Sequence, residues 1–303
     1  MIWIVLYHFT ARYTQLFDVK YPLTFDNGGV VGVTIFFILS GYFYFATIIK
    51  SDRFSCKQIG FFLINKYWKL YVPYCLSIIC IYIVYQFTNL EGRECSLYDF
   101  IVNILFVSPP SPFVHVDGAH WFLATLVWLF IICAPFLLLK PHLRVYSIYI
   151  FQLVVLGLSL FYNCGLIKLY IDPNCLLKFL LGYNLFVIIN NKGKCKYAHI
   201  AILCVILIYY KTILIALFVA FAFLMLIFKE VPMINDKNPL VLVGNYSFPW
   251  YLIHQNIGYI ILNKLNEIGF HSEGWLLLPM FITFLMAICI QWLSAKFPRR
   301  LFN

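Results

Sequence analysis

Long, unbroken apolar runs are the feature that most constrains what this chain can fold into. Hydrophobic residues make up 63% of its 303 residues and charged residues only 11%, whereas an average globular domain has about 25% charged residues. A membrane-spanning helix needs about 20 apolar residues, and a barrel strand needs about ten of alternating polarity. The runs here are long and do not alternate. The sequence therefore predicts an all-α polytopic membrane protein, with a single domain over 1–303.

The apolar runs predict about ten transmembrane helices. We place nine of them at 29–49, 67–87, 120–139, 145–162, 174–190, 197–210, 211–228, 245–263 and 274–294. The first helix, Met1–Phe9, has only nine residues, and we expect it to be the second half of a helix whose first half is missing. The connection 88–119 is predicted to be an outer loop with a short helix near Tyr98–Val107.

The basic residues are distributed unevenly between the two sides of this predicted topology. With the N-terminus in the cytoplasm, fifteen Lys and Arg residues fall in cytoplasmic segments and six in outer segments. Cytoplasmic loops of membrane proteins carry an excess of Lys and Arg, so both termini are predicted to be cytoplasmic. The same bias accounts for the net charge of +10, and no nucleic-acid partner is expected. The ten cysteines contain no CxxC pair, so no metal site is expected.

A few polar side chains lie inside the predicted helices, where they are costly and often functional. His8 lies in the first helix. An imidazole there is either a general base or a structural group hydrogen-bonded to another helix. In the second helix, Ser40 precedes Gly41 among bulky apolar residues. This small pair indicates either a polar contact at a site or close helix packing.

Two further groups of polar residues share a helix face. Ser247, Tyr251 and His254 are spaced i, i+4, i+7 in the ninth helix, and such a face needs a cavity or another polar group because lipid cannot satisfy it. The alternative is a Tyr and His belt at the membrane interface. Lys66 and Lys69, spaced i, i+3 ahead of the third helix, suit an anionic cofactor, although the positive-inside bias also predicts lysines there.

Five segments, taken in order, resemble the motifs of the bacterial acyltransferase-3 family of membrane O-acyltransferases. They are IVLYHF at 4–9, GVVGVTIFFILSGYF at 29–43, KYWKLYVPY at 66–74, HWFLATL at 120–126 and SFPWYLIHQ at 247–255. Two positions depart from the family pattern. The Arg that the family has eleven residues before its histidine would precede Met1, and Thr34 stands where many members have Asp.

The resemblance implies an enzyme of the bacterial cytoplasmic (inner) membrane. It would transfer an acyl group, most often acetyl, from cytoplasmic acyl-CoA to a hydroxyl of a surface polysaccharide or its lipid-linked precursor. Its partners would be acyl-CoA, the glycan acceptor and membrane lipid. A glycan polymerase or flippase, or a transporter without acyl-transfer chemistry, is the alternative, although we find no internal repeat of the kind many transporters have.

The resemblance also implies roles for individual residues. His8 matches the position usually treated as catalytic and would act as general base. Ser40 and the helix face formed by Ser247, Tyr251 and His254 would shape the cavity or stabilise developing oxyanion charge. Lys66 and Lys69 match positions that are often Arg in the family, and they would contact the phosphates of acetyl-CoA.

Overall fold

The computed structural model describes residues 1–17, 19, 21–88, 90, 92–105, 114–190, 238–298 and 301. The regular structure within these ranges is helical, as predicted. Its α-helices are α1 (Ile2–Tyr7), α2 (Tyr13–Phe17), α3 (Gly28–Lys50), α4 (Cys56–Tyr85), α5 (Leu97–Leu105), α6 (Trp121–Cys133), α7 (Pro141–Asn163), α8 (Pro173–Asn190), α9 (Pro239–Glu267) and α10 (Leu277–Ser294). A π-helical turn joins α1 to α2, and 3-10 turns flank α6 and precede α10: His8–Arg12, Gly118–His120, Ala134–Leu138 and Glu273–Leu276.

Within the described ranges, six helical stretches are long and apolar enough to cross a membrane. They are Gly28–Lys50, Cys56–Tyr85, Gly118–Leu138, Pro141–Asn163, Pro173–Asn190 and Glu273–Ser294. Each overlaps one predicted span, and together they support a multi-pass membrane protein. The predicted total of ten is not confirmed, because the predicted spans 197–210 and 211–228 lie outside the described residues.

Two other predicted spans are helical but are not among the six. The span 245–263 lies within α9, which has 29 residues. This helix is long enough to cross a membrane, but its polar side chains lower its mean hydropathy. The first helix was predicted over Met1–Phe9, whereas helical structure continues through the π-helical turn to Phe17.

The chain groups into two compact units. Unit 1 is drawn from Met1–Gly32, Ile64–Ala124 and Ile234–Asn303, and unit 2 from Val33–Leu63 and Thr125–Met233. The helices α3, α4 and α6 contribute residues to both units. The predicted single domain over 1–303 stays a prediction.

In unit 1, α9 packs against α10 and against the first helical segment. Phe9 and Tyr259 belong to its buried core. A Cβ atom on Gly258 would overlap the ring of Phe9, so the glycine allows this ring to lie directly on the α9 backbone. The contact fixes His8, the preceding residue, close to α9.

In unit 2, α3 and α8 approach each other at two glycines. A Cβ atom on Gly41 would lie 2.8 Å from the carbonyl carbon of Phe179, and one on Gly182 would lie 2.7 Å from the carbonyl carbon of Gly41. These neighbours are backbone atoms, which cannot rotate away as a side chain can. The predicted role of Gly41 in close helix packing is therefore confirmed.

We expect Gly41→Ala to lower the free energy of unfolding by about 1–3 kcal/mol, because the added methyl group overpacks a backbone contact. Gly157 offers a matched control in α7 of the same unit, since nothing lies within 4 Å of its Cβ position. There, Gly157→Ala should stabilise by about 0.5–1 kcal/mol, because glycine is unfavourable in a helix interior. The test compares the melting temperatures of purified Gly41→Ala and Gly157→Ala in detergent. Equal shifts of the two would contradict the role of Gly41 in close helix packing.

Candidate active site

His8 begins the π-helical turn His8–Arg12 between two short α-helical segments. Turns of this kind are rare and occur frequently at functional sites. The imidazole is half-buried, and its Nδ1 lies 3.2 Å from the hydroxyl oxygen of Tyr259 on α9. One ring nitrogen of His8 is thus held by α9.

His254 places a second imidazole next to His8. The two ring centres are 5.0 Å apart and the ring planes are inclined at 67°. Its Nδ1 lies 2.8 Å from the carbonyl oxygen of Tyr251 and 3.2 Å from that of Trp250. Since carbonyls only accept hydrogen bonds, Nδ1 carries the hydrogen and Nε2 of the neutral ring is an acceptor. This buried Nε2 has no hydrogen-bond partner among the described residues.

The polar face predicted for the ninth helix is present in part. Tyr251 and His254 are buried, and the Tyr251 hydroxyl donates its hydrogen to the carbonyl of Ala119. That hydrogen is therefore committed to the backbone in this arrangement. Ser247 instead donates to the carbonyl of Gly244 in its own helix, at 2.7 Å.

The segment that precedes α6 binds the backbone of α9. Asp117 accepts hydrogen bonds from the backbone N–H groups of Ala119 at 2.8 Å and Asn256 at 3.2 Å. The Nε2–H of His120 donates to the carbonyl of Leu252 at 2.9 Å. In a regular helix, the N–H of residue 256 bonds to the carbonyl of residue 252. Here the N–H of Asn256 and the carbonyl of Leu252 each have a partner outside α9, and these two hydrogen bonds fix this turn of the helix.

Arg93 reaches the same turn from the connection between α4 and α5. Its Nη1 donates to Oδ1 of Asn256 at 2.9 Å, and its guanidinium carbon lies 5.6 Å from the centre of the Tyr259 ring. The Asn256 Nδ2 donates to the hydroxyl of Tyr85 at 2.6 Å. A series of contacts therefore links Arg93 through Tyr259 to His8.

The structure brings His8, Tyr251 and His254 together within unit 1. Lys66 and Lys69 were predicted to lie ahead of the third helix, but the structure places them within α4 (Cys56–Tyr85), in the same unit. The first is half-buried and the second exposed. Their positive charges repel each other, and a bound phosphate would relieve that repulsion. Ser40 is half-buried and belongs to unit 2.

The residues that surround and support the site of His8 and His254 include four that were not predicted from the sequence as site residues: Arg93, Asp117, Asn256 and Tyr259. A signal was available for Asn256, because residues 254–256 are three consecutive polar residues in an apolar stretch. Tyr259 could not be distinguished from the other 21 tyrosines. Arg93 and Asp117 lie in the predicted loop 88–119, whose sequence does not show which residues contact α9.

Neither a reactive thiol nor a set of metal ligands is found near this site among the described residues. Cys95 lies two residues from Arg93, and burial together with the charge of Asp99 raises the pKa of its thiol to about 11. At neutral pH this thiol is therefore protonated and a poor nucleophile. Within the described part of the chain, no group of three or more His, Cys, Asp or Glu residues is placed to hold a metal ion.

Comparison with known proteins identifies the family. The acyltransferase-3 family model, described as an acyltransferase domain, matches residues 1–295. Searches of curated proteins and of solved structures gave no match. The family match extends over nearly the whole chain and includes both His8 and His254. The chain therefore belongs to the acyltransferase-3 family.

Proposed function

We propose that the protein is a membrane O-acetyltransferase. It transfers an acetyl group from acetyl-CoA to a hydroxyl of a surface polysaccharide or of its lipid-linked precursor. The observation that carries the proposal is the pair of histidines, His8 and His254, with ring centres 5.0 Å apart in a chain of an acyltransferase family. A paired imidazole site suits the proton transfers that acylation of a hydroxyl requires.

His8 is the general base in this proposal. When its Nδ1–H donates to the Tyr259 hydroxyl, Nε2 has a free lone pair and accepts the proton of the sugar hydroxyl. The sugar oxygen then attacks the thioester carbonyl, so that a C–O bond forms and the C–S bond breaks. The protonated imidazole returns its proton to the departing CoA thiolate.

His254 stabilises the protonated form of His8 in this scheme. Its buried Nε2 carries an unpaired lone pair, and this partial negative charge, with the two ring centres 5.0 Å apart, favours the positive charge that His8 carries between the two proton transfers. Tyr251 is a positioning residue, because its carbonyl holds the Nδ1–H of His254 and so sets the tautomer. The role of Ser40 in shaping the cavity rests on the family resemblance.

Lys66 and Lys69 bind the phosphates of acetyl-CoA in this proposal. They are spaced i, i+3 on α4, so their side chains lie on one helix face. Lysine binds phosphate as a mobile point charge. The orientation with cytoplasmic termini in a bacterial inner membrane, supported by the fifteen-to-six split of basic residues, places this pair on the side where acetyl-CoA is found.

We expect the double variant Lys66→Gln, Lys69→Gln to raise the KM for acetyl-CoA by about 5- to 10-fold, since each phosphate contact contributes up to about 1 kcal/mol. The kcat should change little, because the phosphates bind equally in ground and transition states. Lys57→Gln is the matched control, since Lys57 is an exposed residue at the start of α4. A fall in kcat at unchanged KM would contradict the assignment.

The transferase activity is tested by deleting the gene in the source bacterium and measuring the O-acetyl content of its surface glycans by NMR. We expect one glycan to lose its acetyl groups and to regain them on complementation. The purified protein in detergent should transfer label from [14C]acetyl-CoA to that deacetylated glycan. If deletion leaves the acylation of every surface glycan unchanged, the proposed function is wrong.

A further inference from the structure

Arg93 is a half-buried cation with no carboxylate partner among the described residues. One of its five N–H donors is bound by Asn256, and the others have no partner in the same part of the chain. The nearby acid, Asp117, accepts from two backbone N–H groups instead. The arrangement leaves a positive charge beside Tyr259 that an anion can neutralise.

Gln255 supplies an unpaired buried polar atom one residue before Asn256, which binds this cation. Its side chain is only 3% exposed, and Oε1 has no hydrogen-bond partner among the described residues. A buried acceptor left unpaired costs about 1–3 kcal/mol, and a ligand hydroxyl would remove that cost. Gln255 therefore suits a ligand that carries hydroxyl groups.

Gly118 leaves space between these two side chains. A Cβ atom at this position would lie 3.4 Å from Nη1 of Arg93 and 3.9 Å from Nε2 of Gln255. Both distances are van der Waals contacts. The space next to Gly118 is thus lined by the guanidinium group of Arg93 on one side and by the carboxamide of Gln255 on the other.

We propose that Arg93 and Gln255 form a subsite for an anionic sugar. Arg93 binds a carboxylate or phosphate of the sugar, and Oε1 of Gln255 accepts a hydrogen bond from a neighbouring hydroxyl. The guanidinium lies against Tyr259, whose hydroxyl contacts Nδ1 of His8. The anion therefore binds close to the sugar hydroxyl that accepts the acetyl group. This inference rests on the proposed function and specifies its acceptor as an acidic sugar or a sugar phosphate.

The test measures binding to the purified full chain in detergent by saturation-transfer NMR, without acetyl-CoA. The probes are methyl β-D-glucuronide, glucose 1-phosphate and the neutral methyl β-D-glucoside. We expect at least one charged probe to bind about tenfold more tightly than the neutral one, as for a charge-assisted hydrogen bond. Preference for the glucuronide assigns the anion to a sugar carboxylate, and preference for glucose 1-phosphate assigns it to a phosphate.

Three variants test the residues. Arg93→Gln should abolish the preference for charged probes, and Arg93→Lys should retain part of it. Gly118→Ala should weaken binding of the charged probes several-fold, because its methyl group occupies the subsite while the charge of Arg93 is unchanged. Equal binding of charged and neutral probes by the wild type, or an unchanged preference in Arg93→Gln, would overturn the inference. Because binding is measured without acyl transfer, failure of the transferase assay alone would contradict the proposed function but not the anion subsite.

Discussion

Replacing His8 by alanine is expected to lower the rate of acetyl transfer by about 10²- to 10⁴-fold, the usual contribution of a general base. The variant should fold, because His8 is half-buried and its ring makes one hydrogen bond, to Tyr259. The measurement is single-turnover transfer from [14C]acetyl-CoA to the deacetylated glycan, which separates chemistry from binding. Added imidazole should restore part of the lost rate, which a purely structural histidine would not allow.

Two variants serve as controls for this result. His142→Ala removes an exposed histidine of α7 in unit 2 and should leave the rate unchanged. Tyr259→Phe keeps the ring but removes the hydroxyl that contacts Nδ1 of His8, and we expect a loss of about fivefold, because one neutral hydrogen bond contributes about 1 kcal/mol. Wild-type activity of His8→Ala would rule out the general-base role.

The sequence predicts the helical fold well because membrane burial dictates a simple pattern. Uninterrupted apolar residues mark a span wherever lipid surrounds the helix, and six predicted spans coincide with helices of spanning length and apolarity. The pattern weakens in α9, whose polar side chains face protein partners such as Arg93 and Tyr85. Its helical structure was predicted, whereas its partners depend on tertiary contacts.

The site could be predicted only where its residues are local in sequence or belong to a motif. Tyr251 and His254 share a helix face at i, i+3, and His8 was found through the order of the family motifs. The π-helical turn His8–Arg12 has no periodicity signal, since it adds one residue to an otherwise regular helix. Arg93 contacts Asn256 across 163 positions of the sequence, and spacing carries no information at that separation.

Arg144 is another residue whose role cannot be predicted from its position in the sequence. Counted along the sequence, it is one of the basic residues of the cytoplasmic segments. In unit 2 its side chain is fully buried, and all five guanidinium donors bind backbone carbonyls, at 2.5–3.2 Å: those of Ile48, Ser51, Asp52, Leu137 and Leu139. These carbonyls end α3 and the 3-10 turn after α6, where helical partners run out and a cation is favourable.

We expect Arg144→Ala to lower the free energy of unfolding by about 3–5 kcal/mol, since it would leave several buried carbonyls without a donor. At about 2–4 °C for each kcal/mol, the melting temperature in detergent should fall by about 6–20 °C. Arg144→Lys should recover only part of this loss, because an ammonium group has three donors and lacks the planar geometry of guanidinium.

Arg53 provides the matched control for Arg144, because it is exposed and donates one hydrogen bond, to the carbonyl of Leu138 at 2.8 Å. Arg53→Ala removes the same charge from the same unit, yet it leaves a carbonyl that water can reach. Its melting temperature should therefore fall by no more than about 2–4 °C, as for a loss of up to about 1 kcal/mol. Equal shifts for the two arginine variants would show that charge, rather than capping of the two helical ends, determines the contribution of Arg144.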